Sequence, residues 1–257
     1  MEHVTAIILG ILEGITEFLP VSSTGHLLIA EKWLTRQSDL FNVVIQAGAV
    51  LAVTALFAKK IFLLLKNWRS AESQNILLKL GTAFVLTLAG GYLLQKFGFQ
   101  LPESVVPVAL ATLLGGIAIL IIEYFVNKKP ATRELTWTLA IFLGVAQLAA
   151  AIFPGLSRSG ATILLALAWG VKRPQATEYS FLLGIPTLFA AAAVKTWSAV
   201  QHGESENWML LLLATATSAI TAFLVVKWLL RYIQTHDFRI FGWYRVILGA
   251  ILLLFWR

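Results

Sequence analysis

The stretch GILEGITEFLPVSSTGH, residues 10–26, is an apolar run that is interrupted by a proline and continues as a polar, glycine-containing segment. A second stretch, GVAQLAAAIFPGLSRSGAT at residues 144–162, has the same order of features. Proline ends a helix because it lacks a backbone donor and restricts the residue before it. Each stretch therefore predicts two short helices joined at a break, and their similarity predicts an internal repeat. The aligned positions are Gly10 with Gly144, Glu13 with Gln147, and Pro20 with Pro154.

The composition is that of a polytopic membrane protein. Hydrophobic residues make up 58% of the chain and charged residues 13%, and the mean hydropathy is +0.80. A soluble domain has about 25% charged residues. We therefore predict an all-α integral membrane protein with a single membrane domain, residues 1–257. The net charge of +7 indicates membrane topology and contact with anionic lipid, and it argues against nucleic acid as a partner.

Ten apolar runs define the expected helices. Six have roughly the 17–25 residues that a transmembrane helix needs, although the last is short; they are 41–65, 76–95, 104–126, 178–199, 208–230 and 241–256. The other four are shorter and meet in pairs at the two prolines; they are 4–19, 22–34, 136–153 and 160–171. Because broken backbone cannot face lipid, the pairs predict two re-entrant helical hairpins, 4–34 and 136–171.

The number of spans predicts how the two halves are related. Each hairpin precedes three spans, and three is odd, so the second half enters the membrane from the opposite side. This predicts six transmembrane helices and two re-entrant hairpins in an inverted-topology repeat, with halves 1–127 and 128–257.

The basic residues support this topology. Eleven of the 20 lysines and arginines lie in loops that the prediction puts on one side, and four lie on the other. The positive-inside rule makes the richer side cytoplasmic and leaves both termini outside the cytoplasm. The loops of the richer side are 59–75, 127–135, 172–177 and 231–240. Four charged residues near span ends are expected to snorkel towards the membrane surface: Glu123, Lys195, Lys227 and Arg245.

Two carboxylates lie inside the first stretch. Glu13 and Glu17 are four residues apart, so they share one face of a helix. Ionisable residues at membrane depth indicate a functional site. Two carboxylates in one apolar site repel each other, so a metal or a cationic partner is expected between them. The alternative is that both face a polar cavity for packing reasons.

The polar part of the first stretch offers hydroxyls and an imidazole. Ser22, Ser23 and Thr24 open a helix, where such residues commonly act as caps. Ser23 and His26 lie three residues apart on one face. A hydroxyl beside an imidazole is the minimum for nucleophilic or acid–base catalysis, although a lone histidine can also be a packing residue.

The second stretch predicts a phosphate cradle. A helix N-terminus, hydroxyls and the guanidinium of Arg158 suit an anion; the accompanying residues are Ser157, Ser159, Gly160 and Thr162. Two carboxylates and one arginine would face about three further negative charges from a diphosphate. A divalent cation, Mg²⁺ or Ca²⁺, would balance them. Gln46 could line the same cavity, and Glu178 could cap its span or lie at an interface.

These motifs resemble those of the bacterial undecaprenyl-diphosphate phosphatases, also called bacitracin-resistance proteins. The resemblance is carried by residues 13–26, 154–162 and 178–186, and it covers essentially the whole chain. It implies a multi-pass enzyme of the bacterial inner (plasma) membrane that hydrolyses undecaprenyl diphosphate to undecaprenyl phosphate and inorganic phosphate. That reaction recycles the lipid carrier of cell-wall peptidoglycan synthesis. The resemblance also implies divalent-cation dependence and an active site open to the periplasmic side.

Site roles follow from the resemblance by motif position. Glu13 and Glu17 would bind the metal or assist acid–base steps, and Ser23 would be the nucleophile unless an activated water attacks instead. His26 would be the acid–base partner, and Arg158 would clamp the diphosphate. The remaining expected substrate-binding residues are Ser157, Ser159, Thr162, Ser22, Thr24 and Gln46.

Two other functions are compatible with these features. Inverted repeats with broken helices are common in secondary transporters, so a polyprenyl-phosphate flippase could use the same anion site, alone or together with hydrolysis. An anion channel is less consistent with two glutamates at the site. The expected partners are the polyprenyl diphosphate lipid and membrane lipids, and a homodimer is compatible with the sequence.

Overall fold

The computed structural model describes residues 2–99, 105–126, 134–203 and 206–255. Within these ranges the chain forms eleven α-helices, separated by short connections. They are α1 (Glu2–Thr16), α2 (Ser23–Trp33), α3 (Asp39–Leu56), α4 (Ala58–Lys66), α5 (Ala71–Lys96), α6 (Val105–Val126), α7 (Trp137–Ile152), α8 (Arg158–Ala168), α9 (Arg173–His202), α10 (Trp208–Tyr232) and α11 (Arg239–Phe255). Four basic residues used in the charge argument, Lys128, Lys129, Arg133 and Arg257, lie outside the described residues.

The two predicted breaks have the same construction. Each separates two helices, α1 from α2 and α7 from α8. Ser22 and Ser157 cap the second helix of each pair, and their hydroxyls accept hydrogen bonds from the amides of Gly25 (3.4 Å) and Gly160 (3.1 Å). Both serines have positive φ, 74° and 69°, and no other described non-glycine residue does. This conformation is costly for such residues, so both breaks are held by their surroundings.

The two breaks differ by one residue. One residue separates Pro20 from its capping Ser22, whereas two separate Pro154 from Ser157. The structural equivalence after the break therefore pairs Ser22 with Ser157, and the next position pairs Ser23 with Arg158. A hydroxyl in the first half thus has a guanidinium as its counterpart in the second.

Among the described residues, five helices are long and apolar enough to cross a membrane: α3, α5, α6, α9 and α10. The prediction of one helix over 41–65 is wrong, because α3 ends at Leu56 and a separate nine-residue α4 begins at Ala58. α4 carries Lys59 and Lys60 in its first turn, and adjacent lysines belong at a polar interface. α11 has 17 residues, which is at the lower limit for crossing.

Helices of the two halves pack against each other. α1 packs against α10 and α7 against α5, while α3 packs against α9 and α6 against α11. Glycines allow the close approach of α1: a Cβ on Gly10 would lie 2.4 Å from the Ala214 carbonyl oxygen, and one on Gly14 would lie 2.6 Å from that of Ser218. The buried core runs between the halves, and Phe18, Leu19 and Val21 of the first break belong to it. In the second break Gly155 is buried, whereas Phe153 is exposed.

Two of the four expected snorkelling residues are instead fully buried. Glu123 accepts hydrogen bonds from the Arg173 guanidinium and from the amide of Phe238 (2.9 Å). Arg245 has no exposed surface and donates to backbone carbonyls. The snorkelling prediction is wrong for both, because these positions face neighbouring helices rather than lipid. Lys195 and Lys227 are exposed.

Candidate active site

The candidate site is organised around one carboxylate in the first break. Glu17 directly follows α1 and is buried. Its Oε2 accepts a hydrogen bond from the Ser23 hydroxyl at 2.7 Å, and its Oε1 accepts one from Nη2 of Arg158 at 3.2 Å. Ser23 follows the first break and Arg158 the second, and both contact the same side chain. The sequence predicted all three as site residues, and the structure brings them together.

Arg158 is held in place by two further contacts and by the space that Gly184 leaves. Its Nη1 donates to the Ser180 carbonyl at 3.2 Å, and its guanidinium carbon lies 5.2 Å from the centre of the Phe18 ring. A Cβ on Gly184 would lie 2.1 Å from Nη1, so only glycine leaves space for the guanidinium there. Nε is buried and has no hydrogen-bond partner among the described residues. The Nε–H is thus one of the arginine donors that remain for a ligand oxygen.

Glu13 lies one turn before Glu17 and is completely buried. Neither of its carboxylate oxygens has a hydrogen-bond partner in the part of the chain that the structure describes, and its charged neighbour is Glu17. An unpaired buried carboxylate is costly. The pair therefore fits a divalent cation, since Mg²⁺ and Ca²⁺ prefer oxygen ligands. No group of three or more acidic or histidine side chains suited to a metal occurs among the described residues, so phosphate oxygens and water would complete the coordination.

His26 does not bond to Ser23, whose hydroxyl bonds to Glu17 instead. Its Nδ1 lies 2.7 Å from the Ser22 carbonyl oxygen, and its Nε2 lies 2.5 Å from the Tyr244 hydroxyl. A carbonyl can only accept, so Nδ1 carries a proton, and Nε2 of the neutral ring accepts from the phenol. The two rings are parallel, with their centres 5.6 Å apart. Tyr244 was missed by sequence reasoning, because a tyrosine in a distant helix carries no local signal.

The hydroxyls of the second stretch are already bonded within the protein. Ser159 lies within hydrogen-bond distance of the carbonyl oxygens of Glu17 (3.3 Å) and Leu19 (3.1 Å), which ties the two breaks together. The Thr162 hydroxyl lies 2.9 Å from the Arg158 carbonyl and 2.6 Å from the Ser180 hydroxyl. These groups build the cradle and position Arg158.

The other expected substrate-binding residues occupy different environments. Ser22 and Ser157 are the helix caps described above, Thr24 is exposed beside Ser23, and Gln46 is half-buried in α3. α2 and α8 both begin at the site, and the first backbone amides of a helix lack intrahelical partners. Two helix N-termini therefore add partial positive charge where an anionic group would bind.

The model of the family "Bacitracin resistance protein BacA" matches residues 6–251, which include every residue of the candidate site. The chain belongs to this family. A relative from Xylella fastidiosa is 49% identical over 255 residues, covering 98% of each chain. One from Rhizobium etli is 47% identical over 256 residues, and one from Xanthomonas campestris is 47% identical over 254; each match covers 98% of this chain and 97% of the relative. All three relatives are named undecaprenyl-diphosphatase.

Family membership over residues 6–251 agrees with the apolar helices, and the protein is a multi-pass membrane protein. The family match and the relatives span both helix breaks. Glu17, Ser23 and Arg158 therefore all lie within the part of the chain that the family match covers.

Proposed function

We propose that this protein hydrolyses undecaprenyl diphosphate to undecaprenyl phosphate and inorganic phosphate, and so recycles the lipid carrier of peptidoglycan synthesis. The observation that carries the proposal is the contact of Glu17 with both Ser23 and Arg158. A hydroxyl bonded to a carboxylate beside an arginine suits phosphoryl transfer, which depends mainly on positioning and charge stabilisation. The names of the relatives supply the substrate.

The hydrogen bond from Ser23 to Glu17 supports Glu17 as the group that accepts the first proton. Glu17 takes the proton as the Ser23 oxygen bonds to the terminal phosphorus, and the bridging P–O bond breaks to release undecaprenyl phosphate. Water then attacks the phosphoserine, inorganic phosphate leaves, and Glu17 returns the proton to the serine oxygen. Arg158 stabilises the transferring group with its free Nε. His26 is bonded to Tyr244 and Ser22, so we place Glu17, rather than His26, next to the nucleophile.

Glu13 and Glu17 would hold a divalent cation. When bound, such an ion offsets the negative charge of the diphosphate and the two carboxylates. The unsatisfied oxygens of Glu13 support this assignment. Ser23 and Arg158 bind and orient the phosphate whether or not the ion contributes further ligands.

We also propose an inverted-topology repeat with two re-entrant hairpins, inserted in the bacterial inner membrane with the site open to the periplasm. The reciprocal packing of α1 on α10 and of α7 on α5 supports the repeat. The shared break geometry of Ser22 and Ser157 supports equivalent hairpins. The basic loops support the orientation.

The test is phosphate release from undecaprenyl diphosphate by purified protein in detergent, with Mg²⁺ or Ca²⁺ and with chelator. We expect cation-dependent release that disappears in Ser23→Ala and Arg158→Ala. Release that chelator does not affect would overturn the metal assignment and leave Glu13 and Glu17 as proton-transfer groups. A folded wild-type protein that releases no phosphate would overturn the hydrolase, and lipid translocation in liposomes would then test the flippase.

A labelled phosphoenzyme distinguishes the two nucleophiles. We expect substrate carrying ³²P in its terminal phosphate to label the wild-type protein transiently, and labelling to be absent in Ser23→Ala. Turnover without any labelled protein under rapid quench would indicate direct attack by water.

A further inference from the structure

Arg245 is a buried arginine that the proposed reaction does not use. It lies in the middle of α11 and has no exposed surface. We infer that Arg245 is a positioning residue that fixes the two helix breaks relative to each other, so that Ser23 and Arg158 reach the same Glu17. This inference rests on the proposed function, because it concerns the geometry of that site.

The guanidinium is fully used by backbone carbonyls. An arginine has five N–H donors, and all five have an acceptor here. Nε donates to Thr112 (3.2 Å), Nη1 to Pro20 (3.2 Å) and Leu156 (3.0 Å), and Nη2 to Ala111 (3.2 Å) and Gly155 (2.9 Å).

These carbonyls belong to the two breaks and to α6. Pro20 lies in the first break, Gly155 and Leu156 lie in the second, and the other two acceptors lie in the middle of α6. Carbonyls at a helix break have lost their intrahelical donors, and lipid cannot replace them. One side chain therefore satisfies both breaks at once.

Nη1 connects the breaks most directly. It donates to Pro20, three residues before Ser23, and to Leu156, two residues before Arg158. Because the guanidinium is planar and rigid, the two carbonyls are fixed relative to each other. Any displacement of this group would change the distance between the nucleophile and the phosphate-binding arginine.

The surroundings leave space for this one side chain. A Cβ on Gly115 would lie 2.0 Å from Nη2, one on Gly116 would lie 2.8 Å from the Cβ of Arg245, and one on Gly160 would lie 3.2 Å from Nη1. Glycines from α6 and α8 thus form a slot for the guanidinium. No carboxylate pairs with Arg245 among the described residues. The slot therefore holds the guanidinium by its shape and by hydrogen bonds to carbonyls, and not by an ion pair.

Two substitutions separate shape from charge. Arg245→Lys keeps the charge but has three donors and no planar fork, and Arg245→Met removes both. If Arg245 positions the breaks, kcat per folded molecule should fall by about 100-fold in both variants, since a 1 Å misplacement can have that effect. KM should change by less than about threefold, because Arg158 still binds the phosphate. The matched control is Arg239→Lys, on the same helix in a partly exposed pair with Asp237, and it should behave as wild type.

A distance measurement tests the geometry without turnover. The chain contains no cysteine, so spin labels can be placed only at introduced cysteines, Trp33→Cys at the end of α2 and Phe153→Cys at the second break. Both positions are exposed. We expect a narrow distance distribution with Arg245 and a shifted or broadened one with lysine or methionine. An unchanged distribution, or full kcat in Arg245→Lys, would overturn the inference.

A milder variant keeps the test decisive if Arg245 substitutions prevent folding. Gly160→Ala retains the arginine and places a methyl group 3.2 Å from Nη1, and equally close to the Cβ and Oγ of the capping Ser157. It should lower kcat and broaden the same distance, and wild-type values for both would overturn the inference. A folded protein that does not hydrolyse undecaprenyl diphosphate would overturn the proposed function. The distance between the labels can be measured without substrate, so it would still test whether Arg245 positions the two breaks.

Discussion

At the residue scale, the two oxygens of Glu17 serve different partners. One accepts from the Ser23 hydroxyl and the other from Arg158. The arginine holds the carboxylate towards the serine, and the serine is thereby aligned for proton loss. The same carboxylate lies one turn from Glu13, whose oxygens are unsatisfied. The side chains that we propose as nucleophile, base, phosphate ligand and metal ligands therefore lie around the one turn that carries Glu13 and Glu17.

Glu17→Gln should lower phosphate release by about 10²–10⁴-fold, which is the typical contribution of general acid–base catalysis. The amide has nearly the same size but cannot take the serine proton. Initial rates of phosphate release measure the effect. The control is Glu178→Gln, whose partly exposed pair with Lys60 should be worth at most about 1 kcal/mol. A Glu17→Gln enzyme within a few-fold of wild type would remove Glu17 from the base role.

Tyr244→Phe should lower phosphate release by about five- to tenfold. The variant keeps the ring parallel to His26 but loses the hydroxyl on Nε2, and a hydrogen bond is worth about 1 kcal/mol. Tyr232→Phe is the matched control, since Tyr232 stacks on His236 at 4.5 Å in the connection between α10 and α11. Equal rates for both variants would show that the phenol hydroxyl does not support His26.

At the element scale, the site depends on close contact between helices of different halves. α1 ends at the first break and packs against α10 through glycines. Because Glu13 and Glu17 belong to this segment, the position of the carboxylates depends on the separation of α1 from α10.

Gly14→Ala should destabilise the protein by about 1–3 kcal/mol, the usual range for overpacking. The new methyl group would lie 2.6 Å from the Ser218 carbonyl oxygen, which is backbone and cannot turn away. Thermal unfolding in detergent measures the change. Gly81→Ala in α5 is the control, since its Cβ has open space and alanine favours a helix by roughly 0.5–1 kcal/mol. Lower stability of Gly81→Ala than of Gly14→Ala would contradict this packing.

Glu123→Gln should lower stability by about 3–5 kcal/mol, because it removes the fully buried charge to which the Arg173 guanidinium and the Phe238 amide donate. Glu123 joins the end of α6 to the start of α9 and to the α10–α11 connection. Unfolding in detergent again gives the value. Asp39→Asn is the comparison, since its pair with Lys195 is largely exposed and should be worth less than about 1 kcal/mol. Similar losses in the two variants would argue against a buried pair at Glu123.

At the scale of the whole molecule, the orientation depends on the distribution of basic loops. Arg69 lies in the connection between α4 and α5, and Arg36 lies between α2 and α3; both are exposed. The proposed topology puts them on opposite sides of the membrane.

In intact cells, a membrane-impermeant maleimide should label Arg36→Cys and not Arg69→Cys. Inverted vesicles should give the opposite result. The native chain has no cysteine, so the wild-type protein is the blank. Labelling of both positions from one side would contradict the inverted repeat, because an odd number of crossings has to separate them.

The sequence by itself determined the membrane class, the two breaks and most of the candidate residues. Hydropathy, prolines and capping serines act over a few neighbouring residues, so their consequences can be predicted locally. Glu13, Glu17, Ser23 and Arg158 stand out because polar groups inside apolar segments are costly. The division of the run 41–65 was missed, since its interruption at Phe57 contains no proline or glycine.

Only the tertiary structure decided which groups meet. Ser23 bonds to Glu17 rather than to His26, and His26 bonds to Tyr244. Arg245 is buried behind both breaks. Hydropathy does not distinguish a helix face that meets lipid from one that meets another helix. That difference depends on the rotation of each helix against partners far away in the chain, and therefore on the packed molecule as a whole.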